Sequence, residues 1–85
     1  MKEFIEALIN QKEEFSPEQI LDAFFKIGVE RDIIILKNDG IRDTDKLTIV
    51  ITSGDNSFDS IRYDGDSLSE IFRAALQGYI LNKIW

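Results

Sequence analysis

Residues 33–63, IIILKNDGIRDTDKLTIVITSGDNSFDSIRY, decide the fold. Ile33-Ile34-Ile35-Leu36 is a continuous apolar run, and it stops at the turn residues Asn38-Asp39-Gly40. Lys46–Thr52 then alternates with period two, setting Leu47, Ile49 and Ile51 on one face of a strand and Thr48, Val50 and Thr52 on the other. Ser53-Gly54-Asp55-Asn56-Ser57 reads as a second turn, and Phe58–Tyr63 as a third strand that offers Ile61 and Tyr63 to one side. Connections this short join neighbouring antiparallel strands, so the segment predicts a three-stranded β-meander.

Helical spacing flanks the meander on both sides. Phe4, Ile5, Leu8 and Ile9 make one stripe, which predicts a short amphipathic helix. Ser16-Pro17-Glu18-Gln19 is a capping box with proline at the first helical position, and Phe15 with Ile20 supplies its hydrophobic staple. In this second helix Ile20, Leu21, Phe24, Phe25 and Ile27 are expected to face inward, with Gly28 as a left-handed stop. Ser67-Leu68-Ser69-Glu70 opens the last helix, whose stripe Leu68, Ile71, Phe72, Ala75, Leu76, Tyr79, Ile80 and Ile84 predicts the main lid of the sheet. Gly78 within it points to a close helix contact, and Trp85 to a ring docked on the domain or on a partner. The expected fold is α+β in the order ααβββα, a single domain over residues 1–85 in which the C-terminal helix packs on the sheet.

The 85 residues contain no histidine and no cysteine. Imidazole is the side chain that ordinarily titrates near neutrality, and thiolate is the soft metal ligand and strong nucleophile. Their absence removes most acid–base, redox and zinc chemistry, and the chain is not expected to be an enzyme. Walker-type, dinucleotide-binding and nucleophile-elbow motifs are missing as well. The lack of cysteine fits a reducing cytoplasm, and neither a signal sequence nor a membrane-spanning run is expected.

Sixteen acids against ten bases give a formal charge of −6, which argues against direct binding to nucleic acid or to an anionic membrane. Much of the excess lies between Asp39 and Asp66, where Asp39, Asp43, Asp45, Asp55, Asp59, Asp64 and Asp66 outnumber Arg42, Lys46 and Arg62. These aspartates are the candidate contacts for a basic partner, such as a nucleic-acid-processing enzyme, with solvated turns as the plainer reading. Two pairs, Asp43 with Asp45 and Asp64 with Asp66, have the chemistry to hold a hard cation. Helix capping and solvated turns account for them more simply. An EF-hand is rejected, because Ile61 and Tyr63 fall where its ligands belong, and no cofactor is expected.

Three helices cover one face of a small sheet more readily than two. On the uncovered face Val50 is joined either by Ile33 and Ile35 or by Ile34 and Leu36, and Ile34, Leu36 and Val50 are the candidate interface for an alternative in which the chain self-associates as a homodimer.

The stretch Tyr63–Lys83, YDGDSLSEIFRAALQGYILNK, resembles the closing strand, turn and helix of small phage-encoded α/β proteins grouped as ABA-sandwich domains. The run Arg73-Ala74-Ala75-Leu76 carries the likeness. In size, acidity and element order the chain is also similar to small phage inhibitors of bacterial defence nucleases, anti-CRISPR proteins among them. That resemblance implies a non-catalytic inhibitor whose carboxylates mimic nucleic acid, and it transfers no functional residue.

Overall fold

In the computed structural model, which describes residues 1–85, three helices and three strands follow one another as α1 (Lys2–Asn10), α2 (Pro17–Val29), β1 (Ile33–Asn38), β2 (Leu47–Thr52), β3 (Ile61–Gly65) and α3 (Leu68–Asn82). The order is ααβββα, and the sheet is the antiparallel meander β1-β2-β3. None of the helices is long and apolar enough to cross a membrane.

α2 and α3 start where their capping chemistry requires, whereas α1 has no side-chain cap at Met1. The Ser16 hydroxyl accepts from the Gln19 backbone N–H at 3.2 Å, and the Gln19 side chain accepts from the Ser16 N–H at 2.9 Å, closing a full capping box. Ser67 accepts from the Glu70 N–H at 3.3 Å, which starts α3. The C-terminus of α1 has no basic residue of its own in its last turn. Arg73 of α3 serves instead, donating to the carbonyls of Leu8, Ile9 and Glu13 while its guanidinium lies 4.6 Å from the centre of the Phe15 ring.

The end of α2 differs from the expectation. Gly28 is an ordinary helical residue, and the helix continues to Val29. The left-handed position is Arg31, at φ 67°. Its N–H reaches the Gly28 carbonyl and the Asp32 N–H reaches the Ile27 carbonyl, which together form a Schellman motif with arginine where glycine is usual.

Strand boundaries shift as well. β1 extends past Leu36 to Asn38, and β3 begins at Ile61 and runs to Gly65. Phe58 is left in the loop, where its ring meets Tyr79 edge-on at 5.9 Å. Docking on the helix layer takes Phe58 out of the ladder.

α3 lies across β2 and β3, α2 covers β1, and α1 rests against α3. Between them a core of aliphatic and aromatic residues is sealed, with Ile5, Ile27, Ile49, Ile51, Leu76 and Tyr79 wholly buried. Gly78 allows a close approach, though to strand β3: a Cβ there would meet the Ile61 side chain at 3.1 Å. The Trp85 ring stands edge-on to Tyr79 at 5.5 Å, and Ile84 is exposed beyond the end of α3.

Two residues expected inside α2 are outside. Leu21 is 54% and Phe25 71% exposed, whereas Ile20, Ala23 and Ile27 form the buried stripe. The cause is the position of α2 over the edge strand: no further element lies beyond it to cover its outer flank.

Candidate functional site

The register of the sheet assigns its two faces. Ile34 stands opposite Ile51 and Leu36 opposite Ile49, and directly opposed antiparallel residues share a face. Both therefore belong to the face under the helices. Ile35 is opposite Val50 and Ile33 opposite Thr52 on the outer face, which the helices do not cover. The expected set Ile34, Leu36 and Val50 is thus corrected. Val50 has Ile33 and Ile35 as its apolar companions, and these two are 51% and 52% exposed.

The other half of the outer face is polar. Lys37, Asp39, Arg42, Asp64 and Arg62 form a chain of alternating charge, with successive gaps of 3.7, 3.5, 3.5 and 3.2 Å. Arg42 donates to the Thr48 hydroxyl at 2.9 Å, and that hydroxyl donates to Asp64. The guanidinium lies over Thr48, which is only 3% exposed on a face without helices. Hydrogen bonds from Arg62 and Thr48, with Arg42 beside them, hold the Asp64 carboxyl down at about 2.

The seven candidate aspartates do not form one face. Asp39, Asp43, Asp45, Asp64 and Asp66 gather at the end of the sheet that holds the β1–β2 loop and the β3–α3 turn. Asp55 and Asp59 lie in the β2–β3 loop at the other end, about 20 Å away across the six residues of β2. Several have structural tasks. Asp39 accepts from the Ile41 N–H at 3.0 Å, and that bond first, with Lys37 and Arg42 nearby, lowers its pKa. Asp66 accepts from the Lys46 N–H at 3.1 Å, which ties the β1–β2 loop to the start of α3 and lowers the Asp66 pKa. Asp55 accepts from the Ser53 hydroxyl at 2.7 Å and from the Ser57 N–H at 3.1 Å, and its pKa is lowered by that serine pair. Asp43, Asp45 and Asp59 are exposed and make no ion pair. Asp64 and Asp66 serve different partners, and no group of three or more acidic side chains is arranged to hold a metal ion.

One cluster had no signal in the sequence. Asp32, buried at the Schellman turn, accepts on Oδ2 from the Tyr79 hydroxyl at 2.6 Å and from Lys83 Nζ at 2.6 Å, and on Oδ1 from the Gly54 N–H at 3.1 Å. These residues come from the α2–β1 turn, the β2–β3 loop and the end of α3, so only the folded topology unites them. A polar hollow of about 240 Å³, lined by Glu30, Arg31, Asp32, Gly54, Asp55 and Lys83, opens beside the cluster. Burial alone would raise the Asp32 pKa, but the bonds from Lys83, Tyr79 and Gly54 outweigh it and lower the value. Burial, and then the neighbouring Asp32, drive the Tyr79 phenol far above its ordinary range. Asp32 is therefore a weak base and Tyr79 a weak acid at neutrality. Chemically the cluster is a lock that joins three segments, with both carboxylate oxygens of Asp32 occupied.

No protein-family model, curated protein or solved structure matches the chain.

Proposed function

We propose that the chain is a non-catalytic protein-interaction domain. One observation carries the reading: α2 and α3 pack on one face of the sheet, with α1 against α3, and Ile33, Ile35 and Val50 stand together on the open face beside a framework of fixed charges. A contiguous exposed apolar area rimmed by polar groups is the usual mark of a contact surface. The net charge of −6 favours a basic partner body, of which a nucleic-acid-processing enzyme is an example, and the free carboxylates Asp43 and Asp45 are placed to steer its approach. An inhibitor of the kind the resemblance implies is one form such a domain would take.

The test is affinity capture with the wild type, with Ile35→Arg/Val50→Arg and with Asp43→Lys/Asp45→Lys. The reading expects a protein that the wild type retains, that the first variant loses, and that elutes more readily from the second as salt rises. Identical retention by all three chains would overturn it.

The same apolar face favours a second reading, self-association. Sedimentation across a hundredfold range of concentration separates the two: dimers lost on Val50→Arg would support it, and a monomer throughout would end it.

A further inference from the structure

We infer that an apolar hollow between the starts of α2 and α3 receives an aromatic or aliphatic anchor side chain from a basic segment of the partner protein. This rests on the protein-interaction reading and gives that partner a contact on the helix side of the sheet.

The walls of the hollow are apolar. Phe15, Pro17, Ile20 and Leu21, at and just before the start of α2, line with Leu68 of α3 a space of about 480 Å³. Clefts of roughly 300–1,000 Å³ are those that enclose an organic group. This one is fixed by bonds on both of its sides. The Phe15 N–H donates to Ser69 Oγ at 3.0 Å, which ties the start of α2 to that of α3. The Phe15 ring stands edge-on to Phe72 at 6.1 Å, with the Arg73 guanidinium 4.6 Å from its centre. Ser16 and Ser67 cap the two helices that frame it. A pocket held in place before binding loses little freedom when an anchor enters.

Charge identifies the occupant. Glu14, Ser67 and Ser69 also line a polar hollow of about 200 Å³, so the two adjoin. The polar one adds Lys12, Glu13, Glu70 and Arg73. Arg73 is committed to the carbonyls of Leu8, Ile9 and Glu13. Glu13, Glu14 and Glu70 are exposed and form no ion pair, and the Lys12 ammonium is the one free base among them. Glu18 and Asp66 follow and precede the lining residues Pro17 and Ser67 in the chain, which extends the acidic margin. An apolar pocket beside unpaired carboxylates is complementary to an apolar side chain flanked by lysine or arginine. The anchor leaves water inside the hollow, and the bases meet the carboxylates at its rim, where they fix orientation and speed the approach. A second copy of this chain, itself at −6, is repelled from such a rim.

Titration of the intact chain with capped synthetic octapeptides, read by amide chemical shifts, tests the inference. The probes carry phenylalanine-leucine or serine-serine at the centre, flanked on both sides by lysine and arginine or by glutamate. The basic peptide with the apolar centre is expected to bind, to shift the amides of residues 14–21 and 67–70, and to bind at least about tenfold more weakly to Leu21→Arg. Its affinity should fall as salt rises, and less steeply in Glu14→Gln/Glu70→Gln. The altered side chains are exposed, and unfolding midpoints near that of the wild type establish that the variants fold. Equal binding by the basic serine-centred peptide would reduce the contact to general attraction between charges and overturn the inference. Binding by none of the peptides, or shifts confined to residues 39–46 and 53–60, would overturn it as well. A protein captured by affinity that Ile35→Arg/Val50→Arg loses and Leu21→Arg keeps would leave the interaction reading standing without this site. Retention of no protein that any variant releases would end the reading and this inference together.

Discussion

Lys83 Nζ stands 2.6 Å from Asp32 Oδ2, and this ion pair fastens the end of α3 to the turn between α2 and β1. Both groups are largely withdrawn from water, so each depends on the other. Asp32→Ala leaves the Lys83 ammonium and the buried Tyr79 hydroxyl without their partner and is expected to cost about 3 kcal/mol. Lys83→Met keeps the aliphatic stem and should cost less. The double variant should recover at least about 1 kcal/mol relative to the sum of the two. Urea titration of the four proteins checks this, and strictly additive losses would show that the pair is not coupled.

Two glycines should respond to alanine in opposite directions. At Gly54 an added Cβ would fall 1.9 Å from the Arg31 carbonyl oxygen, backbone against backbone, and the Gly54 N–H that holds Asp32 would have to shift with it. Gly54→Ala is expected to destabilise by about 2 kcal/mol or more. At Gly28, on the exposed side of α2, a Cβ meets nothing within 4 Å and φ is not positive. Gly28→Ala should stabilise by about 0.5–1 kcal/mol through better helix propensity. Thermal denaturation of both variants reads the two signs.

The left-handed residue of the Schellman turn is Arg31, and an L side chain there is strained where glycine is free. Arg31→Gly should raise stability by about 0.5–1 kcal/mol. Arg31→Ala, which keeps the strain, should not recover this gain, and thermal denaturation of the two variants checks it.

What was legible in the sequence, and what was not, follows from the range of each signal. Ser16 and Gln19 satisfy each other within one turn, and Leu47, Ile49 and Ile51 alternate within one strand, so capping and strand register on β2 were readable. Ile33–Leu36 has no alternation, and its faces became fixed only through pairing with β2. Leu21 and Phe25 had the spacing of core residues, but periodicity does not report whether a neighbour exists to cover them. The acidic loops looked continuous along the chain, whereas a strand crossing between them sends Asp55 and Asp59 to the far end. Asp32 and Lys83 are 51 positions apart, beyond the reach of any local pattern.

Arg73 explains part of the closing-helix stretch without reference to a partner. Its three bonds to the Leu8, Ile9 and Glu13 carbonyls satisfy an α1 terminus that has no basic residue of its own. Arg73→Met should cost about 2–3 kcal/mol, since hydrogen bonds from a charged donor are lost and the α1 carbonyls return to water. Amide exchange should quicken first in α1, with the β2 amides following only at the rate of global opening. Equal acceleration in both elements would mean that Arg73 supports the whole fold rather than this one terminus.

Stability should fall at both extremes of pH, for separate reasons. Asp32, Asp39, Asp55, Asp64 and Asp66 all have lowered values in the folded chain, Asp64 from 3.8 to about 2. A carboxylate lowered on folding stabilises above its unfolded value, so this contribution is complete above about pH 4 and is lost progressively as pH falls toward 2. Tyr79 is raised above its ordinary 10.0, so folding favours the neutral phenol, and its contribution is present below about pH 10 and declines as pH rises beyond that. Urea midpoints of the wild type, Asp64→Asn and Tyr79→Phe at intervals from pH 2 to 11 check both limbs. Asp64→Asn should flatten the acid limb and leave the alkaline one intact. Tyr79→Phe should lower the plateau by about 1 kcal/mol for the lost hydrogen bond and remove much of the alkaline decline. An alkaline limb unchanged by Tyr79→Phe would place its origin elsewhere.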